Sequence, residues 1–340
     1  MNNIYKILFV LSFCGLIVSC STNGTTEDIP LRDYAVQYAA DLDSLDDYID
    51  THYITVDPSN YDVTFTEIPT GGTQQNIRTQ TQYPLKDTTV TQDGINYKIY
   101  YIRFREGTQK RPTQVDSVHV AYRGIDLKDK QFDYAETPNW FKLQDVVTGW
   151  SHIIPMFKTG TYTGASGSTP ASFNDFGAGI MFLPSGLAYY NNGAGTIAAY
   201  SPIIFSFKLY ELQYRDQDGD GIKSKDERKL DPSVSHLIRW KENPGTNTYK
   251  LVGGVQVVDI PFLDTDGDGV SNAYDIDDDG DNFLTKVETQ KLAADITAAS
   301  PLAHYPFDPT STEPKGIPAC GNVDFTSPTR LRKHLDPSCH

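Results

Sequence analysis

The chain is short of positive charge, of cysteine and of long apolar runs. Its 340 residues carry 29 Lys and Arg against 44 Asp and Glu, a formal net charge of −15 at pH 7. A nucleic-acid binder needs basic surface to displace counterions from phosphates, so that class is excluded. Residues 7–18, ILFVLSFCGLIV, are the one predominantly apolar run, and they lie at the extreme N-terminus. This excludes a multispan membrane protein. Apolar residues at 39% and aromatics at 12% still suffice for a core, which excludes wholesale disorder. At about 150 residues per domain the length gives roughly two domains. The excess of carboxylates leaves cation binding open, because hard cations draw on clustered oxygens.

Lys6 precedes the apolar run, which has the length of a signal-peptide core and is too short to span a bilayer comfortably. Ile17-Val18-Ser19-Cys20 follows. This resembles the bacterial lipoprotein box, in which an aliphatic and a small residue precede the lipid-bearing Cys. The resemblance implies removal of residues 1–19, lipidation of Cys20, and a partner bilayer in the cell envelope, with the outer membrane expected. An ordinary secretory signal is the alternative. Two or more acyl chains anchor stably where one does not. Cys14 leaves with the signal and Cys20 is consumed by lipid, so Cys320 and Cys339 remain as an even pair in an oxidising compartment. A disulfide between them would close a loop of about twenty residues. His334 and His340 raise zinc as the competing reading, but their spacing with the cysteines matches no common finger.

Residues 20–30 are polar and read as a tether. Across 31–51, Leu31, Tyr34, Ala35, Tyr38, Leu42, Leu45 and Ile49 recur at spacings of three and four, the pattern of one amphipathic helix. Its apolar face packs on its own domain or forms a dimer. Residues 52–94 read as a poorly periodic connector with at most one short strand. Strands are expected at 95–104, 115–125, 179–184 and 202–212, and a helix over 145–158 limited by Pro155. Strands dominate without an alternating strand–helix repeat, so the fold class is α+β with an antiparallel sheet.

The blocks within residues 95–213 have a further meaning. Val118-His119-Val120-Ala121-Tyr122-Arg123-Gly124, Phe132-Asp133, Val146-Val147-Thr148-Gly149-Trp150, Met156 with Gly160, Leu183-Pro184-Ser185-Gly186-Leu187-Ala188-Tyr189 and Ile203–Leu209 resemble, in this order, the motifs of FKBP-type peptidyl-prolyl cis-trans isomerases. The resemblance implies an antiparallel sheet wrapped around a short helix. It also implies a proline pocket made of Tyr122, Phe132, Asp133, Phe141, Val146, Val147, Trp150, Tyr189, Ile197 and Phe205. Trp150 would be the floor beneath the proline ring, the Tyr189 hydroxyl would bond a substrate carbonyl, and Asp133 would orient the polar network. Either Trp140 or Phe141 could be the wall aromatic. Ile197-Ala198-Ala199 replaces the family's Ile-Pro-Pro loop, and residues 161–177 are a long insertion. Both departures are expected at the pocket rim. The implied partners are proline-containing exported polypeptides, and no cofactor is required for such chemistry. The rival class is a non-catalytic scaffold holding proline segments, and a third is a calcium-stiffened spacer.

Residues 216–288 carry three acidic loops. The first has Asp216, Asp218, Asp220 and Glu227 at positions 1, 3, 5 and 12 and Gly221 at 6. This is the EF-hand spacing, in which alternate residues of a tight loop converge their oxygens on one cation. The second has Asp264, Asp266, Asp268 and Asp275. The third has Asp277, Asp279, Asp281 and Glu288, with Asn282 in place of the glycine. The backbone carbonyls of Ile222, Val270 and Phe283 stand at the seventh positions. The near-fusion of the last two loops resembles the thrombospondin type 3 repeat. Structural Ca2+ is the expectation, since Mg2+ demands octahedral geometry and keeps its water. Residues 214–290 thus form a calcium-loop module with little regular structure, and 291–340 a tail.

Overall fold

The computed structural model describes residues 31–168, 170–227, 251–252, 255–256 and 263–339. The expected signal peptide, the expected tether with Cys20, and His340 lie outside the described residues.

Helix α1 (Tyr34–Thr51) starts at Asp33, whose carboxylate accepts from Val36 N at 3.0 Å. A side-chain acceptor there satisfies one of the donors that a helix start leaves open. Next come β1 (His52–Val56), β2 (Val63–Glu67), β3 (Leu85–Gln92), β4 (Ile95–Arg105), β5 (Ser117–Asp126) and β6 (Gln131–Lys142). Helix α2 (Thr148–Ile153) runs into a 3-10 turn at Ile154–Met156. The strands β7 (Thr161–Thr163), β8 (Ser172–Asn174), β9 (Gly177–Leu183) and β10 (Ile203–Gln213) follow. Beyond them lie β11 (Leu251–Val252), β12 (Val255–Gln256) and the short helix α3 (Thr285–Glu288).

Six strands form one sheet in the order β3-β4-β9-β10-β5-β6, antiparallel at every pairing. The period of two along each strand sorts side chains onto two faces. Tyr97, Ile99, Tyr101, Met181, Leu183, Phe205, Phe207 and Leu209 face one core together with Trp150, Ile153 and Phe157. Tyr100, Ile102, Ile180, Phe182 and Ile204 face a second core with Leu45, Tyr48 and Ile49 of α1. The central strand β9 is therefore buried along its whole length, which is why its sequence is an unbroken run of small and apolar residues rather than an alternating one. Leu42, Leu45, Tyr48 and Ile49 of α1 pack on the second core, Tyr38 meets Tyr97 of the first, and Tyr34 stacks on Tyr190. Asp41 adds a polar clasp, accepting from Ser185 N at 2.7 Å and Ser185 Oγ at 2.6 Å.

Several elements differ from expectation. The stretch 52–94 contains three strands, and the sheet begins at Leu85, not at residue 95. Its Thr, Gln and Asp content hides β3 because β3 is an edge strand with only Val90 and Gln92 buried. Strand β6 was not anticipated either. It is the other edge, and the pairing jumps from Val120↔Asn139 to Tyr122↔Ala135, which leaves Pro138 in a bulge. The helix expected over 145–158 is shortened at both ends. Val147 is extended (φ −57°, ψ 141°), and Pro155 sits in the tighter 3-10 turn. Cys320 and Cys339 are joined, with their Cα atoms 5.5 Å apart.

Leu45 is fully buried between α1 and the sheet. Leu45→Ala is expected to cost about 2–5 kcal/mol of unfolding free energy, read by urea denaturation. A loss below about 1 kcal/mol would mean that α1 is not part of the cooperative unit.

Candidate functional site

A pocket of about 500 Å3 opens where β5, β6 and β10 meet the start of α2. Its lining includes Tyr122, Asp133, Phe141, Val146, Val147, Trp150, Tyr189 and Phe205, eight of the ten residues expected. Trp150, 3% exposed, stands edge-on to Tyr122 (5.0 Å, 82°), Phe141 (5.6 Å, 70°) and Phe205 (5.3 Å, 89°). Edge-to-face packing fixes all four rings, since each positive ring edge meets a negative face. The Trp150 indole nitrogen is buried without a hydrogen-bond partner. The Tyr122 hydroxyl donates to Asp133 Oδ2 at 2.7 Å. Burial, with Asp133 second, holds the Tyr122 hydroxyl well above the usual phenol range. Burial and then Asp133 also raise Tyr189. Both phenols thus stay protonated as donors at neutral pH.

The remaining expected residues support the pocket from behind. Phe132 packs edge-on against Phe205 at 5.5 Å. A Cβ at Gly124 would come within 2.5 Å of the Phe132 ring and 2.8 Å of the Phe205 ring, which explains the glycine two residues after Tyr122. Ile197 is 6% exposed within the core. Phe141, not Trp140, is the wall aromatic. Trp140 points to the opposite face, stacks on His119 at 4.9 Å and is 49% exposed. The departures at 161–177 and 197–199 do not line the pocket. The insertion folds into the β7–β8 hairpin, with Phe173 against His119 and Tyr210. Asp145, Thr148 and Ala188 also line it; Thr148 and Ala188 lie inside the motif blocks and Asp145 directly precedes one, but none of the three is among the expected pocket residues.

The acidic loops share one hydrogen-bond design. The first Asp of each loop accepts from the backbone N at the sixth position: Gly221 to Asp216 at 3.2 Å, Gly269 to Asp264 at 3.2 Å, Asn282 to Asp277 at 2.9 Å. Asn282 reaches this geometry with a positive φ of 73°, a region that Asn tolerates. Within each of the triads Asp216/Asp218/Asp220, Asp264/Asp266/Asp268 and Asp277/Asp279/Asp281, carboxylate oxygens lie within 4.8 Å of one another. A fourth triad, Asp220/Glu227/Asp278, is fully buried, and Asp278 was missed because the second position of such a loop is not a ligand position. Asp275 belongs to none of the triads. Both oxygens of Glu227 and of Glu288 are buried without a hydrogen-bond partner. Burial and then Asp220 push Glu227 up to about 11; burial and then Asp279 push Glu288 up to about 8. Orphaned buried carboxylates in loops of this spacing are the donor set that a hard divalent cation satisfies.

The first loop abuts the sheet. Arg215 N donates to the buried Asp116 at 3.1 Å. Gln217 Nε2 donates to Val115 O at 2.8 Å and to Gln144 Oε1 at 2.9 Å, one residue before the pocket-lining Asp145.

The chain is 29% identical over 136 residues to the FKBP-type peptidyl-prolyl cis-trans isomerase FkpA of Aeromonas hydrophila, covering 39% of this chain and 43% of that protein. It is 29% identical over 93 residues to a probable FKBP-type 25 kDa peptidyl-prolyl cis-trans isomerase of Pseudomonas aeruginosa, covering 27% and 34%. The chain therefore spans less than half the length of these curated relatives. The crystal structure of a peptidyl-prolyl cis-trans isomerase from Pseudomonas syringae aligns with 54% of this chain and 98% of its own, at 18% identity and a TM-score of 0.33. The family model described as BamM C-terminal matches residues 217–317, the acidic loops and the first part of the tail. The chain is thus similar over part of its length to FKBP-type peptidyl-prolyl cis-trans isomerases, and over residues 217–317 to the BamM C-terminal family.

Raised carboxyl groups make a prediction about pH. In the absence of cations the folded chain holds protons at Asp218, Asp220, Glu227 and Glu288 that the unfolded chain releases near its ordinary pKa of 4.5 for Glu. Where the folded state binds more protons, stability falls as pH rises. The melting temperature in chelator is expected to fall from about pH 5 to about pH 8, and millimolar calcium is expected to abolish the fall. A flat or rising profile in chelator would contradict the loop geometry.

Proposed function

We propose that the chain is a peptidyl-prolyl cis-trans isomerase of the cell envelope, anchored through Cys20, that acts on proline-containing segments of exported polypeptides. The observation that carries this reading is the Tyr122–Asp133 hydrogen bond set beside a cage of three aromatic rings around Trp150. The similarity to FKBP-type isomerases supports it.

The chemistry follows from the amide. Resonance gives the X-Pro bond a barrier near 20 kcal/mol. The bond turns without any covalent change once its nitrogen loses conjugation, so a site needs to favour the twisted amide over the planar one. A proline ring seated on the Trp150 indole is removed from water, which weakens the solvation of the planar, charge-separated amide. The Tyr189 hydroxyl is the donor for a carbonyl of the bound segment. Asp133, held by Tyr122, faces the region of the rotating carbonyl and keeps the pocket's polar edge in one arrangement.

The acidic loops in this proposal hold structural Ca2+: Asp216, Asp218, Asp220, Ile222 and Glu227 in the first; Asp264, Asp266, Asp268, Val270 and Asp275 in the second; Asp277, Asp279, Asp281, Phe283 and Glu288 in the third. Calcium bound only to the folded state stabilises it by RT ln(1 + [L]/Kd), about 2.7 kcal/mol at one hundred times Kd. None of the pocket residues is among these ligands, so the ion supports the fold and takes no part in the rotation.

In a protease-coupled isomerisation assay on the full-length chain in detergent, Tyr189→Phe is expected to lower kcat/KM about three- to tenfold, the worth of one hydrogen bond. Trp150→Phe, which keeps the ring packing, is expected to lower it further. Proline-peptide binding by the wild-type chain without any acceleration would favour the scaffold reading. Neither binding nor acceleration would end the proposal.

A further inference from the structure

We propose that Asp278, on the third acidic loop, is a ligand of the cation held by the first loop, so that one ion ties the two loops together. The inference rests on the calcium reading above and adds a residue that neither loop motif supplies.

The coordination count points to a ligand from outside the first loop. In each loop the side chain at the ninth position holds the backbone at the second position. Ser224 Oγ accepts from Gln217 N at 3.1 Å, Asn272 Oδ1 from Thr265 N at 3.0 Å, and Thr285 Oγ1 from Asp278 N at 3.0 Å. Ser224 is fully buried in that role. The first loop is then left with one oxygen each from Asp216, Asp218, Asp220 and the Ile222 carbonyl, and two from Glu227. Calcium takes six to eight oxygens, often as a pentagonal bipyramid of seven.

Asp278 stands where the missing oxygen belongs. Its carboxylate lies with those of Asp220 and Glu227 inside 4.8 Å. Asp278 is 1% exposed, and Asp220 and Glu227 are each 2% exposed. Neither Glu227 oxygen has a hydrogen-bond partner. Three carboxylates so close and so far from water repel one another strongly unless a cation lies between them. Asp220 belongs both to this triad and to the Asp216/Asp218/Asp220 triad, so a single ion in contact with Asp220 is within reach of both. The residues at the second position of the other loops are engaged elsewhere, Gln217 on Val115 and Gln144 and Thr265 on Asn272. Behind Asp278, the buried His334 of the tail places its Nε2 4.0 Å from the carboxylate. An ion at this point would therefore join the first loop, the third loop and the disulfide-closed tail into one unit.

Calorimetric titration of the full-length chain in detergent with Ca2+ alone tests this. Asp278→Asn and Glu227→Gln are each expected to weaken the same one of the bound ions, by about 10- to 100-fold. The double variant is expected to lose that ion and no other. A double variant that loses two ions, or an Asp278→Asn variant that titrates like wild type, overturns the inference while leaving the calcium reading intact. A wild-type chain that takes up no calcium at millimolar concentration overturns both. Should Asp278→Asn not fold, terbium-soaked crystals of the wild-type chain decide the matter. An anomalous peak within about 2.6 Å of both Asp278 and Glu227 is the expected result. A peak on the first loop that leaves Asp278 uncoordinated is the contrary one.

Discussion

Burial of one sheet on both of its faces is the constraint from which the rest of the molecule follows. A six-stranded antiparallel sheet with a polar outer face would be stable with one core. This one is apolar on both sides at its centre, as the full burial of β9 shows, and so it requires two covers. Helix α1 supplies one and the α2 segment the other. The pocket is the open end of the second arrangement. Trp150 belongs to the core and lines the pocket, and Phe205 does the same from the strand beside it. A pocket built from core side chains comes ready-formed, because the packing that stabilises the domain also holds its rings in place.

The same economy governs the junction with the acidic loops. Strand β10 ends at Gln213, and the first loop begins at Asp216. Three residue steps from Gln213 to Asp216 span at most about 11 Å, so the loop stays close to the end of the sheet. Asp116 takes the Arg215 amide, and Gln217 reaches across to Val115 and Gln144. The first loop is thereby fixed to the segment that leads into the pocket, although none of its carboxylates lines the pocket. The loops themselves are three copies of one backbone design, and among their differences is the side chain at the second position, Gln217, Thr265 or Asp278. That one position joins the first loop to the sheet and the third loop to the first.

Much of this was legible in the sequence, and the omissions have physical causes. The alternation in 95–104 and 115–125 marks strands because half their side chains are buried. The α1 pattern is legible because Leu42, Leu45 and Ile49, at spacings of three and four, meet one sheet face. The motif residues Tyr122, Asp133, Val146, Val147, Trp150, Tyr189 and Phe205 line one pocket as their resemblance implied: the register of β5 with β6 and β10 places Tyr122, Asp133 and Phe205, and the helix that starts after Val147 brings in Trp150. The edge strands β3 and β6 were not legible: an edge needs few buried residues, and Pro138 argues against a strand until a bulge removes its need for a ladder bond. The insertion at 161–177 was assigned to the rim from its place in the chain, whereas Phe173 draws it to His119 and Tyr210 on the far side. Asp278 escaped notice because loop spacing describes ligands within one loop and carries no information about a neighbour's.

The central claim is that this aromatic pocket turns prolyl bonds. Exchange NMR on a labelled peptide with a single X-Pro bond measures it directly, since uncatalysed isomerisation takes tens of seconds and gives no exchange cross-peaks on the sub-second scale. Cross-peaks between the cis and trans resonances are predicted to appear on adding catalytic amounts of the folded chain, equally with calcium or with enough chelator to strip it at a temperature where the chain stays folded. Resonances that shift or broaden on binding, with no cis–trans exchange at any protein concentration, would contradict the account.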